Sequence, residues 1–427
     1  MNKIIPTESQ LNWQNQDFGM FFHFGVNTFN NKEWSAGNLD PKSFNPKKLN
    51  TDDWVETVVA AGAKYVILTA KHHDGFCLWQ TETTDYCVKS SPWRDGKGDV
   101  VKDLSKSCKK YNMNFGIYLS PWDRHESCYP NEKLYDDFYI KQLTELLTNY
   151  GKIFEVWLDG AGSENRKYDW NRIMDTIKKY HNDAMIFNMG DPTIRWVGNE
   201  NGLANETVHY VVKELKGSAF SKKKLETNTQ FYCPPECDVA IRQNWFWQTD
   251  DLHTLKTKEH LLAIYYRSIG RGCNLLLNVP PDRDGLISKE DKNRLLEFTN
   301  EIKRRFSNPI DLNFKQEENE INISFNKKET IDHIVLNEDL SNGQKIFNFE
   351  IQYFYNDKFF PLLKGTTIGH KRILPFKTIN TDKIKIILKD DNSIIKNINC
   401  YKTDFETLPN LGKKLNYDDW SNKADPK

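Results

Sequence analysis

The sequence predicts an α/β fold, namely a (β/α)8-type TIM barrel followed by a C-terminal all-β sandwich. Three observations lead to this prediction. Between residues 18 and 306, short apolar segments alternate with longer segments of helical periodicity. The apolar segments are continuous, as in parallel strands that are buried on both faces. After residue 308 the pattern changes to short, alternating, turn-bounded segments, which are typical of an antiparallel sandwich.

Six apolar segments are the candidate barrel strands, and they cover residues 18–25, 65–70, 114–120, 153–158, 184–189 and 273–279. Residues 191–255 fit the repeat poorly because they are long, rich in Trp and interrupted, so the strands expected there have no defined bounds. An open doubly wound sheet is the alternative, but no G-x-G-x-x-G follows the first strand.

Helical segments lie between these strands and have recognisable ends. Thr51 is predicted to cap the first, which ends at Gly62, and Ser288 is predicted to cap the last. The segments are 51–62, 98–112, 132–151, 168–181, 256–270 and 288–306. We expect a catalytic barrel over residues 1–306 and a β-sandwich domain with an irregular tail over residues 307–427.

The charge balance and the hydropathy pattern exclude several classes of partner. Lys plus Arg and Asp plus Glu both number 59, so there is no basic excess of the kind that nucleic-acid binding requires. No apolar run approaches the roughly 18 residues of a membrane span. The N-terminal residues lack the apolar core of a signal peptide. The expected location is cytoplasmic, or periplasmic or secreted if a leader has been removed.

The cysteines and tryptophans bear on cofactors and ligands. The eight cysteines contain no C-x-x-C pair, and Cys233 and Cys237 are the closest two, so scattered free thiols are expected. Eleven of the 12 tryptophans lie before residue 250. Indole faces stack on the C–H faces of sugars, so one interpretation is a carbohydrate site, and the other is a Trp-rich core.

Active sites of TIM barrels lie at the carboxyl ends of the strands, where this sequence places many polar and aromatic residues. Among them Asp159 follows an apolar run and precedes Gly-Ala-Gly. A carboxylate at the exit of a buried strand is costly unless it is paired or functional, and the small residues leave room for a ligand. A turn in which Asp159 accepts loop N–H bonds is the structural alternative.

Hydrolysis of a glycosidic bond needs a second carboxyl group. The candidates are Glu200, Glu206, Glu236 and Asp238, and spacing alone does not choose among them.

A metal site is a further hypothesis, since His23, His72 and Asp159 could converge as in metal-dependent barrel hydrolases. Adjacent residues of an extended segment point to opposite faces, so His72 and His73 are not expected to share one ion. Neither H-E-x-x-H nor H-x-H occurs. We therefore predict no metal and no cofactor.

Several motifs, spread over about residues 10–300, resemble those of glycoside hydrolase family 29, the α-L-fucosidases. They are FGMFFHFGVNTF, AGAKYVILTAKHHDGFCLW, EVWLDGA, IRWVGNE, DVAIRQNWFW and NLLLNVPPDRDG. YLSPWDRH together with RWVGNE is similar to the branch restricted to α-1,3/1,4-linked fucose.

The resemblance implies a retaining exo-fucosidase that acts on fucosylated oligosaccharides or glycoconjugates. Asp159 would be the nucleophile and Glu200 the acid/base, with Glu206 and Glu236 as alternatives. The two carboxyls would lie about 5–5.5 Å apart. The residues implied to bind substrate are His23, Glu33, Trp34, His72, His73, Tyr118, Trp157, Arg242 and Trp245. A barrel that binds fucosylated glycans without cleaving them is the competing hypothesis.

Overall fold

The computed structural model describes residues 4–163, 166–217, 224–390 and 393–412. Its first ten strands are β1 (Phe18–Phe22), β2 (Tyr65–Lys71), β3 (Asn114–Leu119), β4 (Glu155–Trp157), β5 (Met185–Phe187), β6 (Arg195–Trp196), β7 (Val211–Lys216), β8 (Lys224–Tyr232), β9 (Pro235–Ala240) and β10 (Asn274–Asn278).

Eight of these strands form one parallel sheet that is nearly closed into a barrel. The order of neighbours is β5, β4, β3, β2, β1, β10, β9 and β6. Phe187 at the end of β5 bridges Ile194 just before β6, so the two edges of the sheet meet. Every residue of β1, β2, β9 and β10 is buried, as expected for strands with side chains inside the barrel and helices outside it. The predicted barrel is confirmed.

The helices lie between the strands, largely where their periodicity predicts them. They are α1 (Glu8–Gln14), α2 (Val26–Asn30), α3 (Thr51–Ala61), α4 (Val100–Lys110), α5 (Glu132–Asn149), α6 (Trp170–Tyr180), α7 (Lys258–Arg267) and α8 (Lys289–Phe306). Ser288 caps α8 and Gly62 ends α3, as predicted. The predicted Thr51 cap is wrong, because the Asn50 side chain accepts the N–H groups of Asp52 and Asp53, and Thr51 is the first helical residue.

Residues 191–255 depart from the strand–helix repeat. A seven-residue connection without a helix joins β5 to β6, and an antiparallel hairpin, β7 with β8, precedes β9. Strands of two or three residues, such as β5 and β6, are too short to produce a periodic pattern. This explains why the sequence did not define their bounds.

The C-terminal region is all-β, as predicted. Its strands are β11 (Asn313–Glu317), β12 (Glu320–Glu338), β13 (Phe349–Tyr355), β14 (Lys358–Gly365), β15 (Arg372–Leu388) and β16 (Ile395–Tyr401). They form one six-stranded antiparallel sheet in the order β11, β12, β15, β13, β14, with β16 paired to β12. Alternating isoleucines such as Ile321, Ile323, Ile384 and Ile386 fill a core that is separate from that of the barrel.

Polar contacts that are buried or partly buried join this sheet to the barrel. The Tyr266 hydroxyl of α7 lies 2.8 Å from Nε2 of His333 in β12. His370 and Lys371 both pair with Asp17, which directly precedes β1. The division of the chain into domains at residues 306 and 307 stays a prediction, and most of the predicted tail, residues 413–427, lies outside the described residues.

All eight cysteines are free, as predicted. Within the described ranges, none of the helices combines the length and the apolar character needed to cross a bilayer.

Candidate active site

A cavity opens at the carboxyl ends of the barrel strands and encloses about 560 Å³, its open mouth included. It lies where barrel geometry predicts an active site. The residues that line it are Phe21, His23, Trp34, His72, His73, Tyr118, Trp157, Asp159, Ala161, Phe187, Asn188, Trp196, Glu200, Gly217, Asp238 and Trp245.

Asp159 reaches this cavity because β4 ends at Trp157 and the chain then turns. Its Oδ2 accepts a hydrogen bond from the Tyr118 hydroxyl at 3.1 Å and lies 3.5 Å from Nε2 of His73. Its Oδ1 accepts the backbone N–H of Ala161 at 2.8 Å. The carboxylate is 24 % exposed, so it is held in place while part of it stays open to the cavity. The loop N–H bond of the structural alternative is present, but it occupies only one oxygen.

Glu200 lies on the loop after β6 and, with Asp159 and Asp238, is one of three carboxyl groups that line the cavity. The indole Nε1 of Trp245 lies 3.4 Å from its Oε2. Burial, together with the nearby charge of Asp159, raises the pKa of Glu200 to about 7. Glu200 is therefore protonated over most of the range below neutrality, as a general acid requires.

His23, at the exit of β1, has a defined tautomer. Its Nδ1 lies 2.9 Å from Oδ1 of Asn278, and the Asn278 amide nitrogen donates to the carbonyl of Trp245. The amide orientation makes Asn278 Oδ1 an acceptor, so Nδ1 of His23 carries the proton. Burial lowers the pKa of His23 to about 3. The ring is neutral, and Nε2 is an acceptor for a ligand hydroxyl.

His72 and His73 both line the cavity, and their ring centroids are 4.2 Å apart. The expectation that they point to opposite faces is wrong, because β2 ends at Lys71 and the alternation of a strand does not continue into the turn. Nδ1 of His73 lies 2.7 Å from the Ser120 hydroxyl, while burial holds the pKa of His72 well below its usual value. Asp74 shapes the turn by accepting the N–H of Phe76.

Aromatic rings form the floor and the walls. Trp157 stacks on Phe187 with ring centroids 3.9 Å apart and on Tyr118 at 5.4 Å. Trp34 packs edge-on against His73 at 5.5 Å. These surfaces are apolar and rigid, and they suit the C–H face of a sugar.

Two residues implied to bind substrate lie outside the cavity lining. Glu33 is buried and accepts the backbone N–H groups of Trp245 and Phe246 at 2.8 and 3.2 Å. Arg242 is buried in ion pairs with Asp251 and Asp291. Each side chain is thus paired with groups behind the cavity wall. In these positions Glu33 and Arg242 stabilise the loop that carries Trp245 and do not face the cavity. The motif letters do not reveal the direction in which a side chain points.

The other three candidate acids lie in three different environments. Glu206 lies outside the cavity in ion pairs with Arg271 and Arg372. Glu236 is fully buried beneath the cavity floor. Asp238 lines the cavity, but its Oδ1 accepts the Trp196 indole N–H at 2.6 Å, and burial raises its pKa well above the usual range.

Among the lining residues that sequence reasoning did not single out are Phe21, Phe187, Asn188, Trp196 and Gly217. Trp196 is inside the quoted motif IRWVGNE, and Phe21 is two residues before His23 and so shares its inward face. These two signals could have found them. Asn188 adopts a left-handed conformation with φ +64° that no pattern announces.

The arrangement of the side chains also bears on metal binding. Among the residues that the structure describes, no group of three or more His, Cys, Asp or Glu is arranged to hold an ion. We therefore expect that dialysis against a chelator leaves kcat within about twofold of its initial value. The measurement is initial rate before and after dialysis, with metal content followed by elemental analysis. A loss of activity that added Zn²⁺ restores would contradict this expectation.

The similarity of the chain to known proteins agrees with this geometry. The family model for α-L-fucosidase matches residues 4–304. Alpha-L-fucosidase 1 of Arabidopsis thaliana is 37% identical over 90% of this chain and 84% of its own length. A glycoside hydrolase 29 family member from an unknown rumen bacterium superposes with a TM-score of 0.86 at 33% identity, over 97% of this chain and 79% of that one.

A further solved structure is a family 29 fucosidase of Ruminococcus gnavus in complex with fucose. It has a TM-score of 0.83 at 31% identity, over 93% of this chain and 95% of that one. The family match, the barrel and the cavity thus lead to one conclusion. The chain belongs to glycoside hydrolase family 29 and is an α-L-fucosidase.

Proposed function

We propose that the enzyme is a retaining exo-α-L-fucosidase that releases α-1,3/1,4-linked fucose from Lewis-type oligosaccharides and glycans. In this proposal Asp159 forms a covalent fucosyl-enzyme, and Glu200 is the acid/base. The observation that carries it is the presence of two carboxyls with contrasting surroundings in one cavity. Asp159 accepts hydrogen bonds that stabilise a carboxylate, whereas burial and the charge of Asp159 keep Glu200 protonated.

The chemistry follows from these two states. An oxygen of Asp159 attacks the anomeric carbon while Glu200 gives its proton to the departing glycosidic oxygen. Glu200, now ionised, takes a proton from water, and that water displaces Asp159 from the sugar. Two inversions restore the α configuration. The Tyr118 hydroxyl donates to Asp159 throughout and orients the attacking oxygen.

Binding of the sugar is assigned to the histidines and the aromatic rings. His23 Nε2 accepts one sugar hydroxyl, because Asn278 holds the proton on Nδ1. His72 and His73 are placed to bind neighbouring hydroxyls, and Trp34 lies beside them. An indole or phenyl face packs on the C5 methyl of fucose, the apolar group that distinguishes this sugar. The fucose complex of the Ruminococcus gnavus relative supports a fucose ligand for this pocket.

Stereochemistry tests the retaining mechanism. Proton NMR of a reaction with high enzyme concentration should show α-L-fucose first and the β anomer only after mutarotation. Appearance of the β anomer first would mean that water attacks directly and that Asp159 is not a nucleophile.

The linkage preference gives a separate prediction. Lewis a and Lewis x trisaccharides should be hydrolysed with a kcat/KM at least about 100-fold above that of 2′-fucosyllactose, which is about 3 kcal/mol of transition-state discrimination. The measurement is fucose release under matched conditions for the three substrates. Equal or faster hydrolysis of 2′-fucosyllactose would place the enzyme in the permissive branch of the family and leave the roles of Asp159 and Glu200 untouched.

A further inference from the structure

Two carboxyl groups lie next to each other inside the barrel, beneath the cavity. Glu155 is in β4 and Glu236 is in β9, and both are completely buried. Each is two residues before a residue that lines the cavity, Trp157 in β4 and Asp238 in β9. Because side chains alternate along a strand, all four point into the barrel, and the pair forms the layer directly below the cavity floor.

Among the described residues, one of the four carboxylate oxygens of this pair receives no hydrogen bond. Glu236 accepts from the Tyr65 hydroxyl at 2.6 Å and from the Trp157 indole N–H at 3.0 Å. Glu155 Oε2 accepts from the Trp13 indole N–H at 2.9 Å, and its Oε1 is buried without a donor. In the part of the chain that the structure describes, neither carboxyl forms an ion pair, so two adjacent anions would have only neutral donors around them.

We propose that Glu155 and Glu236 share one proton, which resides on Oε1 of Glu155 and is donated to Glu236, and that this pair is a positioning unit for Trp157. Both carboxyls are completely buried in one layer of the barrel, and the interaction between the two side chains shifts the pKa of each. A proton on Glu155 Oε1 turns this oxygen, which lacks a donor, into a hydrogen-bond donor. Glu236 then accepts three hydrogen bonds, from Tyr65, Trp157 and Glu155.

The electrostatic surroundings agree with a retained proton. Burial, followed by the charge of the neighbouring Glu236, raises the pKa of Glu155 well above its usual value, and burial also raises that of Glu236. The titratable groups that face the pair are Tyr65 of β2 and Asp238 of β9. These groups are neutral or acidic, so none of them compensates a second negative charge.

The pair is connected to the proposed nucleophile through Trp157. Glu236 fixes the indole N–H of Trp157, whose ring stacks on Tyr118 with centroids 5.4 Å apart. The Tyr118 hydroxyl then donates to Asp159 at 3.1 Å. A rotation of Trp157 would displace Tyr118 and with it the oxygen of Asp159. This consequence for turnover rests on the role proposed above for Asp159, whereas the shared proton does not.

Two isosteric substitutions distinguish the two carboxyls. Glu155→Gln keeps an acceptor for Trp13 and a donor for Glu236, so kcat should stay within about threefold of the wild-type value. In Glu236→Gln the glutamine has only one acceptor oxygen, whereas three donors point at the wild-type carboxylate. The NH2 group of the glutamine therefore faces the donor of either Tyr65 or Trp157 and cannot accept its hydrogen bond. The substitution should lower kcat at least about tenfold with a KM change below about threefold, because the loss is one of alignment. Equal losses in both variants, or a larger loss in Glu155→Gln, would overturn the proposal.

A matched control and two readouts that are independent of turnover complete the test. Glu338→Gln alters another buried carboxyl, one that accepts backbone N–H groups in the C-terminal sheet, and should change stability without changing kcat. The infrared difference spectrum between wild type and Glu155→Gln at neutral pH should contain the C=O stretch of a protonated carboxylic acid. Its absence would overturn the proposal even if Glu236→Gln did not fold.

Thermal unfolding gives the second readout. In the folded state Glu155 keeps its proton at pH values above its ordinary pKa of 4.5, because its pKa is raised. The free energy of unfolding of the wild type therefore falls as the pH rises from about 4.5 toward the raised pKa. Glu155→Gln carries no titrating proton there, and its Tm relative to wild type should increase between about pH 5 and pH 8. A constant Tm difference would contradict the shared proton. The azide experiment on Asp159, described below, is unaffected by this outcome.

Discussion

Replacing Asp159 with alanine is expected to lower kcat by about 10⁴-fold or more while the protein stays folded, because the carboxylate proposed to form the fucosyl-enzyme is then missing. The space vacated by the carboxylate admits a small anion on the side from which Asp159 is proposed to attack. Added azide should therefore restore turnover of α-L-fucosyl fluoride, whose leaving group needs little protonation. The product should be β-L-fucosyl azide, since only one inversion has taken place.

The control for this experiment is Asp191→Ala, which removes another carboxylate on a loop after a barrel strand. Asp191 lies outside the cavity lining, is 74% exposed and pairs with Lys178, so its loss should leave kcat and KM unchanged. Circular dichroism and Tm of both variants should match those of the wild type. Wild-type turnover by Asp159→Ala would refute the proposed nucleophile, and α-fucosyl azide as the product would assign it to another residue.

Replacing Glu200 with alanine is expected to lower kcat/KM on a Lewis trisaccharide by about 10²- to 10⁴-fold, because the glycosidic oxygen then leaves without a proton. The loss on α-L-fucosyl fluoride should be much smaller for the first chemical step. Azide should accelerate turnover here too, but by attacking the fucosyl-enzyme from the face where water normally reacts. The product should be α-L-fucosyl azide, the opposite anomer from that of Asp159→Ala.

The pH profile should report the same group. Glu200 must be protonated for the first step, and its pKa is raised to about 7, so kcat/KM on the trisaccharide should fall as the pH rises through about 7. In Glu200→Gln this alkaline limb should disappear from the profile of the residual activity on the trisaccharide. Glu206→Gln is the control, because Glu206 is paired with Arg271 and Arg372 outside the cavity lining and should retain the wild-type profile. A profile altered by Glu206→Gln and not by Glu200→Gln would exchange the two assignments.

The fold was predictable where the chain follows the strand–helix repeat, and it was not predictable where the chain departs from that repeat. Strands such as β2 and helices such as α8 carry their own periodicity and caps, so local sequence is enough to place them. The connection from β5 to β9 consists of very short strands and an antiparallel hairpin. Its form depends on pairing with distant strands, for example β6 with β9, and such pairing leaves no local pattern.

The site divides in a similar way. Asp159, Glu200, His23, Trp34, His72, His73, Tyr118, Trp157 and Trp245, all derived from strand ends and motifs, line one cavity. Glu33 and Arg242 were implied by the same family resemblance, but they face backbone N–H groups and aspartates behind the wall. The difference between a residue that lines a cavity and one that braces its wall depends on the direction of the side chain, and that direction follows from packing.

The amino-acid sequence by itself determined the barrel, the all-β C-terminal region, the family and the position of Asp159, because each of these is encoded by local periodicity or by a contiguous motif. Only the tertiary structure decided which candidate acids line the cavity with Asp159, which nitrogen of His23 holds the proton, and that Glu155 and Glu236 lie in one buried layer below the cavity. Glu236 and the Trp157 that it binds are 79 positions apart along the chain. Burial and close approach of such distant groups set where protons reside, and neither exists until the barrel closes.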